Sequence, residues 1–471
     1  MTDTRKKSDA KFAANDVYAL VFGLFLGLTI LKFGNPIILD HKISAPDTLA
    51  DLWSAAWPTR WSNWMLWPLL MAGASLALTK KLVWPGSRWL WILPLAWFGW
   101  QLVSATQTVD ADLTAMTLWQ FAGCVACYFV GVTVLGSERG LRWLLVGVLA
   151  AFTVCLVRAV DQRMFEFPQS HQMLLEGERT GWTNTPPEMF LELKRENIII
   201  STNGMEMANP MILAKFTKGR VSGTLVYPNA LAGLILLLFP VAFIVALKSI
   251  RGMKRIIRYF SILLIVFLGG AGFFWTGSKL GWLIAMVLAG ICLFRLKWSP
   301  RWKWLAVILL LVAGLAVFGI RYHAYFAGGA KSAGARFDYW RAAGQTTLAH
   351  PLGGTGAGTF QRSYARLKAP ESEMARLAHN DYLEQFSDSG VPGGAFYLAW
   401  VIALLITIGR RVWKSDNLVL FALFLGLIGW FIQGMGEFGL YIPALAWIAF
   451  VLVGIGLRLS GNEIDKTRAP N

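Results

Sequence analysis

The sequence predicts an all-α polytopic membrane protein with about twelve transmembrane helices and one large outer loop between the ninth and tenth. Three observations carry that prediction. Of the 471 residues 56% are hydrophobic and only 15% are charged, a balance found in membrane chains. Apolar runs long enough to cross a hydrocarbon core recur along the chain; a crossing takes roughly 20 residues, with every backbone amide satisfied inside the segment. The basic residues alternate between loops in the manner of the positive-inside rule.

The candidate spans run over about residues 16–34, 63–80, 88–106, 114–135, 140–160, 226–247, 257–276, 279–296, 302–320, 391–409, 416–433 and 438–458, within one integral membrane domain covering 1–471. A basic, polar start (MTDTRKKSDAK) without a small-residue cleavage site precedes the first span, which is therefore expected to be retained. Even numbering puts both termini on one side. If that side is cytoplasmic, the short inner loops hold Lys80, Lys81 and Arg88; Arg139 and Arg142; Lys248, Arg251, Lys254, Arg255 and Arg258; Arg295, Lys297, Arg301 and Lys303; and Arg410, Arg411 and Lys414.

Three outer loops are long, 35–62, 161–225 and 321–390, and long loops are where functional side chains are usually mounted. They keep a basic excess that topology does not demand: Lys215, Lys218 and Arg220 in the second, and Lys331, Arg336, Arg341, Arg362, Arg366, Lys368 and Arg376 in the third. An anionic ligand on the outer side would account for it, since arginine suits phosphate; mixed loop charge or contact with lipid phosphates is the plainer account. The net charge of +17 is thus a matter of membrane topology and outer ligands, and no nucleic-acid partner is expected.

Other features carry less. Cys124, Cys127, Cys155 and Cys292 all lie in apolar runs, where thiols pack as small hydrophobes, so the C-x-x-C is read as core and no metal is expected. Pro94, Pro240 and Pro443 fall inside spans, where kinks are tolerated. Trp53, Trp57, Trp61, Trp64 and Trp67 read first as an interfacial aromatic belt and second as a sugar-stacking platform. The stretch GGTGAG (Gly353–Gly358) lacks both the strand–helix context of a dinucleotide fold and the Lys of a P-loop; its glycines fit a tight backbone path instead.

The stretch LAHNDYLEQFSDSG (Leu377–Gly390) concentrates one His and three carboxylates. On a helical wheel Tyr382, Leu383 and Phe386 fall within about 60° of His379, whereas Asp381, Glu384 and Asp388 lie about 140° to 200° away. The wheel therefore assigns His379 to an inward apolar face, with Arg376 beside it if the helix continues upstream, and the acids to a more solvated face. One-sided acids do not suit a glycosidase pair, which flanks a single bond at about 5 to 9.5 Å. Gly390 and Pro392 supply a helix stop.

Four ordered elements resemble the O-antigen ligase and polymerase superfamily: GRVSGTLVYPNALA (Gly219–Ala232), TGSKLGW (Thr276–Trp282), ARFDYW (Ala335–Trp340) followed by HPLGGTGAGTF (His350–Phe360), and HNDYLEQFSDSGVPGG (His379–Gly394). Lys279 stands where the family often has Arg, and Asp388 is shifted by one residue from the family's usual acid. The resemblance implies a GT-C-like membrane glycosyltransferase, inverting and metal-independent, with no cofactor. The donor would be a glycan on undecaprenyl pyrophosphate and the acceptor a hydroxyl, first of all of lipid A core. It implies His379 as the base and Arg336 and Arg220 as catalytic pyrophosphate ligands, with Lys218, Lys279, Arg341, Arg376, Asn380 and Tyr382 as substrate-binding residues. It also implies the bacterial inner membrane, with 161–225 a periplasmic loop and 321–390 the periplasmic catalytic loop. A polysaccharide polymerase and a protein O-oligosaccharyltransferase would use the same donor chemistry. From another class, a lipid-linked oligosaccharide flippase or other transporter would place ionisable groups at mid-membrane, and these spans are nearly free of them; a structural role is the plainest alternative.

Overall fold

The computed structural model describes residues 13–79, 85–202 and 204–468, with side chains to residue 462. Lys80, Lys81 and the basic N-terminal stretch lie outside the described residues. The helices in order are α1 (Ala14–Lys32), α2 (Leu49–Ser54), α3 (Thr59–Leu78), α4 (Trp89–Ala105), α5 (Ala111–Thr133), α6 (Glu138–Asp161), α7 (Phe167–Thr180) and α8 (Pro187–Arg195). A small antiparallel hairpin, β1 (Ile199–Thr202) and β2 (Met205–Ala208), precedes α9 (Pro210–Lys218). Then come α10 (Pro228–Ser249), α11 (Arg255–Thr276), α12 (Lys279–Arg295), α13 (Pro300–Ala327), α14 (Lys331–Ala349), α15 (Phe360–Leu367), α16 (Asp381–Val412), α17 (Leu418–Gln433) and α18 (Pro443–Arg468).

The chain is an all-α polytopic membrane protein, and each of the twelve expected stretches is helical. Among the described residues eight helical segments are long and apolar enough to cross a membrane unaided, and Trp89–Ala105 and Leu418–Gln433 are shorter apolar helices. α13 buries none of its most apolar stretch and α11 only 11%, as lipid-facing helices do, while the corresponding stretch of α18 is 89% buried. Small residues set the closest crossings. A Cβ on Gly23 or Gly147 would collide with the backbone of the partner helix between α1 and α6, and Gly131 and Gly454 play the same part between α5 and α18.

The long loops are themselves folded. α6 continues through a π-helical turn at Gln162–Glu166 into α7, so one helix rises from the bundle into the second loop. Leu174, Trp182, Ile199 and Ala208 form a small core there.

α16 is bent rather than stopped at the glycine that was expected to end it: Ser389 and Gly390 leave helical geometry (Gly390 φ 67°, ψ −175°), and the helix then resumes through Pro392. The bend frees backbone groups, and the glycine-rich loop takes them up. Thr355 N–H donates to Ser387 O at 3.2 Å, Gly356 N–H to Asp388 O at 2.8 Å, and Val391 N–H to Pro351 O at 2.7 Å. Ser104 Oγ also donates to Asp388 O at 2.8 Å. The loop follows so close a path that Cβ atoms on Gly354, Gly356 and Gly358, all at positive φ, would strike Asp388, Thr108 and Thr117. GGTGAG is therefore a splice between α16 and α5.

Candidate active site

At the loop-rich end of the bundle a cavity of about 220 Å³ is lined by Arg220, Asn229, Gly277, Ser278, Lys279, Arg336, Tyr339, Glu373, His379 and Glu437, among others. Four residues expected from sequence, His379, Arg336, Arg220 and Lys279, thus meet although they come from four separate segments.

Glu437 holds them together. It sits in the short turn between α17 and α18, is 3% exposed, and its carboxylate is surrounded by donors. Oε1 accepts from Arg336 Nη2 at 2.5 Å and Asn229 Nδ2 at 2.7 Å, and Oε2 accepts from the Tyr227 hydroxyl at 2.9 Å. His379 Nδ1 lies 3.5 Å from Oε2, an ion-pair separation too long for a good hydrogen bond. A buried carboxylate needs such partners, because an unpaired charge there would be costly.

His379 lies outside α16. It occupies the left-handed region (φ 52°) one residue ahead of the N-cap Asn380, a conformation in which His is enriched among non-glycine residues. Its ring stacks on Tyr339 (centroids 5.9 Å apart) and meets Phe438 edge-on at 4.7 Å. Nε2 makes no hydrogen bond among the described residues. Tyr339 is itself fixed by its hydroxyl on Glu373 Oε1 at 3.0 Å; burial, and then this carboxylate, push the phenol above its ordinary range.

The cations are oriented by backbone. Gly219 ends α9 in a left-handed cap and releases Arg220, whose Nε donates to Thr276 O at 2.7 Å and whose Nη2 donates to Asn229 Oδ1 at 2.8 Å. Burial lowers the pKa of Arg220, and nearby Glu437 opposes that shift. Gly277 (φ 58°) lets the chain pass beneath this arginine; a Cβ would stand 3.2 Å from its Nε. Ser278 then caps α12, accepting from Gly281 N–H at 3.3 Å, and Lys279 places its Nζ 3.8 Å from the Tyr325 ring centroid. The cavity therefore combines two arginines, a lysine and a helix N-terminus, each of which favours an anion.

The remaining sequence candidates stand apart from the cavity lining. Lys218 ends α9, exposed; Arg341 is exposed and paired with Asp338 at 3.3 Å. Arg376 lies in a non-helical stretch, so no helix holds it on a common face with His379. Asn380 caps α16, accepting from Tyr382 N–H at 3.1 Å and Leu383 N–H at 3.0 Å, and donates from Nδ2 to Met435 O at 2.9 Å. Tyr382 donates its hydroxyl to Phe431 O at 2.8 Å. Both are thus occupied by backbone groups, and Asn380 positions the turn that carries Glu437.

The solvated face expected for the three acids is corrected: Asp381 is 2% exposed, Glu384 and Asp388 0%. The helix begins only at Asp381, and the glycine loop and the turn after α17 cover that face. Asp381 accepts from Leu440 N–H at 3.2 Å, Glu384 from Ala378 N–H at 2.9 Å, and Asp388 from Gly358 N–H at 2.6 Å and the Tyr441 hydroxyl at 3.1 Å. Each closes a loop around the site.

Sequence reasoning missed Glu437, Asn229 and Tyr339. A signal existed for the first: Gly-Met-Gly-Glu-Phe-Gly (Gly434–Gly439) puts a lone carboxylate among glycines between two apolar spans.

A search of curated proteins finds no match. Residues 263–398 match the family model described as O-Antigen ligase, a range that takes in the TGSKLGW, ARFDYW and glycine-loop elements and the His379 segment, and leaves out Gly219–Ala232. The match supports an O-antigen ligase- or polymerase-like function and a glycosyltransferase-like activity in a multi-pass membrane protein. The match over residues 263–398 thus supports the O-antigen ligase superfamily, the one that the chain's motifs resemble.

Proposed function

We propose that the protein transfers a glycan from undecaprenyl pyrophosphate to a hydroxyl acceptor, first of all of lipid A core, at a site facing the periplasm on the 321–390 loop. One observation carries this reading: an unengaged imidazole nitrogen and three cations share a single cavity around Glu437. The acceptor oxygen attacks the anomeric carbon from the face opposite the diphosphate, and its proton passes to His379 Nε2. As that bond forms, the bond from the anomeric carbon to the diphosphate oxygen breaks, and the configuration inverts.

In this mechanism Glu437 faces Nδ1, so the imidazolium that forms gains a partner, the logic of an acid–histidine pair. Arg220, Arg336, Lys279 and the α12 N-terminus receive the charge that develops on the leaving diphosphate. Such cations can take the part of a metal ion, and transfer is expected to proceed in EDTA. Arg220 lies between α9 and α10, Lys279 at the start of α12 and Arg336 in α14 of the 321–390 loop, which favours surface chemistry over a carrier with ionisable groups at mid-membrane.

Reconstitution of the purified protein with one lipid-linked glycan, offered lipid A core, a second lipid-linked glycan or a protein acceptor, tests the reading. Glycosylated lipid A core is the expected product. A lengthened lipid-linked glycan would make the enzyme a polymerase, a glycoprotein a protein transferase, and no product with any acceptor would refute transfer.

A further inference from the structure

A second cavity, of about 320 Å³, lies at the same end of the bundle, between the turn after α1, the start of α3 and the second and third turns of α5. Its walls include Asp40, Asn63, Trp64, Trp67 and Trp119. Of the five tryptophans in the belt, only Trp64 and Trp67 face it, and Trp119 from α5 joins them, edge-on to Trp67 at 5.4 Å. Two buried polar atoms in the wall, Asn63 Oδ1 and Trp67 Nε1, have no hydrogen-bond partner among the described residues. Asp40 is already oriented, accepting from the Thr59 hydroxyl at 2.6 Å and Arg60 N–H at 3.3 Å.

Buried polar atoms without partners are uncommon, and here the acceptor and the donor belong to residues that line one cavity between indole rings, a setting that invites a ligand. That ligand must have apolar faces to lie on the rings and hydroxyls that both donate and accept. A pyranose ring has both properties, and the cavity stands at the lower end of the roughly 300–1,000 Å³ range of ligand pockets.

We propose that this cavity is a saccharide subsite, which holds a sugar residue of one of the two glycan substrates away from the reacting bond. Its link to the candidate active site is short and runs through two hydrogen bonds. Gly34, ahead of Ile37, accepts from Val226 N–H at 3.3 Å, and the next residue, Tyr227, donates to Glu437. The identity of the ligand rests on the glycosyl-transfer reading, whereas its chemical class rests on the cavity.

The test uses the full chain in lipid nanodiscs and saturation-transfer difference NMR. The probes are the glycan released by mild acid from the source strain's lipid-linked pool, the core oligosaccharide of its lipopolysaccharide, and glycerophosphoethanolamine as a headgroup control. Saturation of one saccharide is expected, weakened about tenfold by Trp64→Ala, Trp119→Ala and Asn63→Leu and unchanged by His379→Ala. Trp64 is 68% exposed, so its variant keeps the fold. In steady-state transfer, Trp64→Ala should raise KM for one glycan substrate with kcat retained.

Absence of a saccharide signal, a signal that survives all three wall variants, or saturation of the headgroup control alone would overturn the subsite. So would a fall in kcat without a change in KM. Saccharide binding by a protein inactive with every acceptor would uphold the subsite and refute the transfer reading separately.

Discussion

Glu437 Oε1 accepts the Arg336 guanidinium at 2.5 Å while Oε2 stands 3.5 Å from His379 Nδ1, so one buried carboxylate sets the positions of both a cation and a base.

Removing the base or the cation should stop the chemistry and spare the fold. His379→Ala is expected to lower the transfer rate at least 10²-fold, within the range of about 10²–10⁴ for general-base catalysis. Arg336→Ala should act as severely, with membrane insertion retained. Rates from reconstituted protein, set beside membrane-fraction yields, check both; a His379→Ala enzyme of wild-type rate would reject the base assignment.

Glu437 should matter for stability as well as rate. Glu437→Ala leaves Arg336 and Asn229 without their acceptor, and loss of one partner of a buried pair costs about 3–5 kcal/mol. Glu437→Gln keeps the shape and part of the hydrogen bonding, so it should melt closer to wild type yet transfer far more slowly. Thermal unfolding in detergent, paired with transfer rates, separates the two effects.

Arg220 and Lys279 should not tolerate exchange in the same way. Lysine at 220 cannot reach Thr276 O and Asn229 Oδ1 while still presenting a donor to the cavity, so Arg220→Lys should raise the donor KM severalfold. Lys279→Arg introduces a planar fork and should keep or lower that KM. Initial rates over a range of donor concentrations decide between these outcomes.

Gly390→Ala is expected to prevent folding rather than impair catalysis. Its Cβ would stand 2.5 Å from the Leu352 carbonyl carbon, at a φ of 67° that already disfavours a side chain. Gly99→Ala, with nothing near its Cβ, is the control expected to behave as wild type. Yield and size-exclusion profile after membrane extraction check the pair.

The sequence made the helices legible because each span is a long apolar run, and a run of that length in lipid has little choice but helix. Arg220 and Arg336 belong to the basic excess of the outer loops, but it is the family resemblance that singles them out, together with Lys279. The environment of His379 was not legible, because the helical wheel assumed a helix where the chain turns through a left-handed residue. Nor was the burial of Asp381 and Asp388, since their partners arrive from Leu440 and Gly358, distant in sequence. Glu437 escaped notice for a similar reason: a single acid in a six-residue turn has no periodicity, and its meaning lies in partners from α10 and α14.

The bend of α16 bears on how such a protein can be re-engineered. Its freed carbonyls are satisfied by a loop that leaves the bundle well before the helix begins, so the loop and the helix are a single inheritable cassette. A chimera that exchanges residues 321–380 alone would import a foreign loop onto a native joint and strand the amides of both. One that exchanges 321–412 would carry the joint intact, and specificity could then be moved between relatives as a unit.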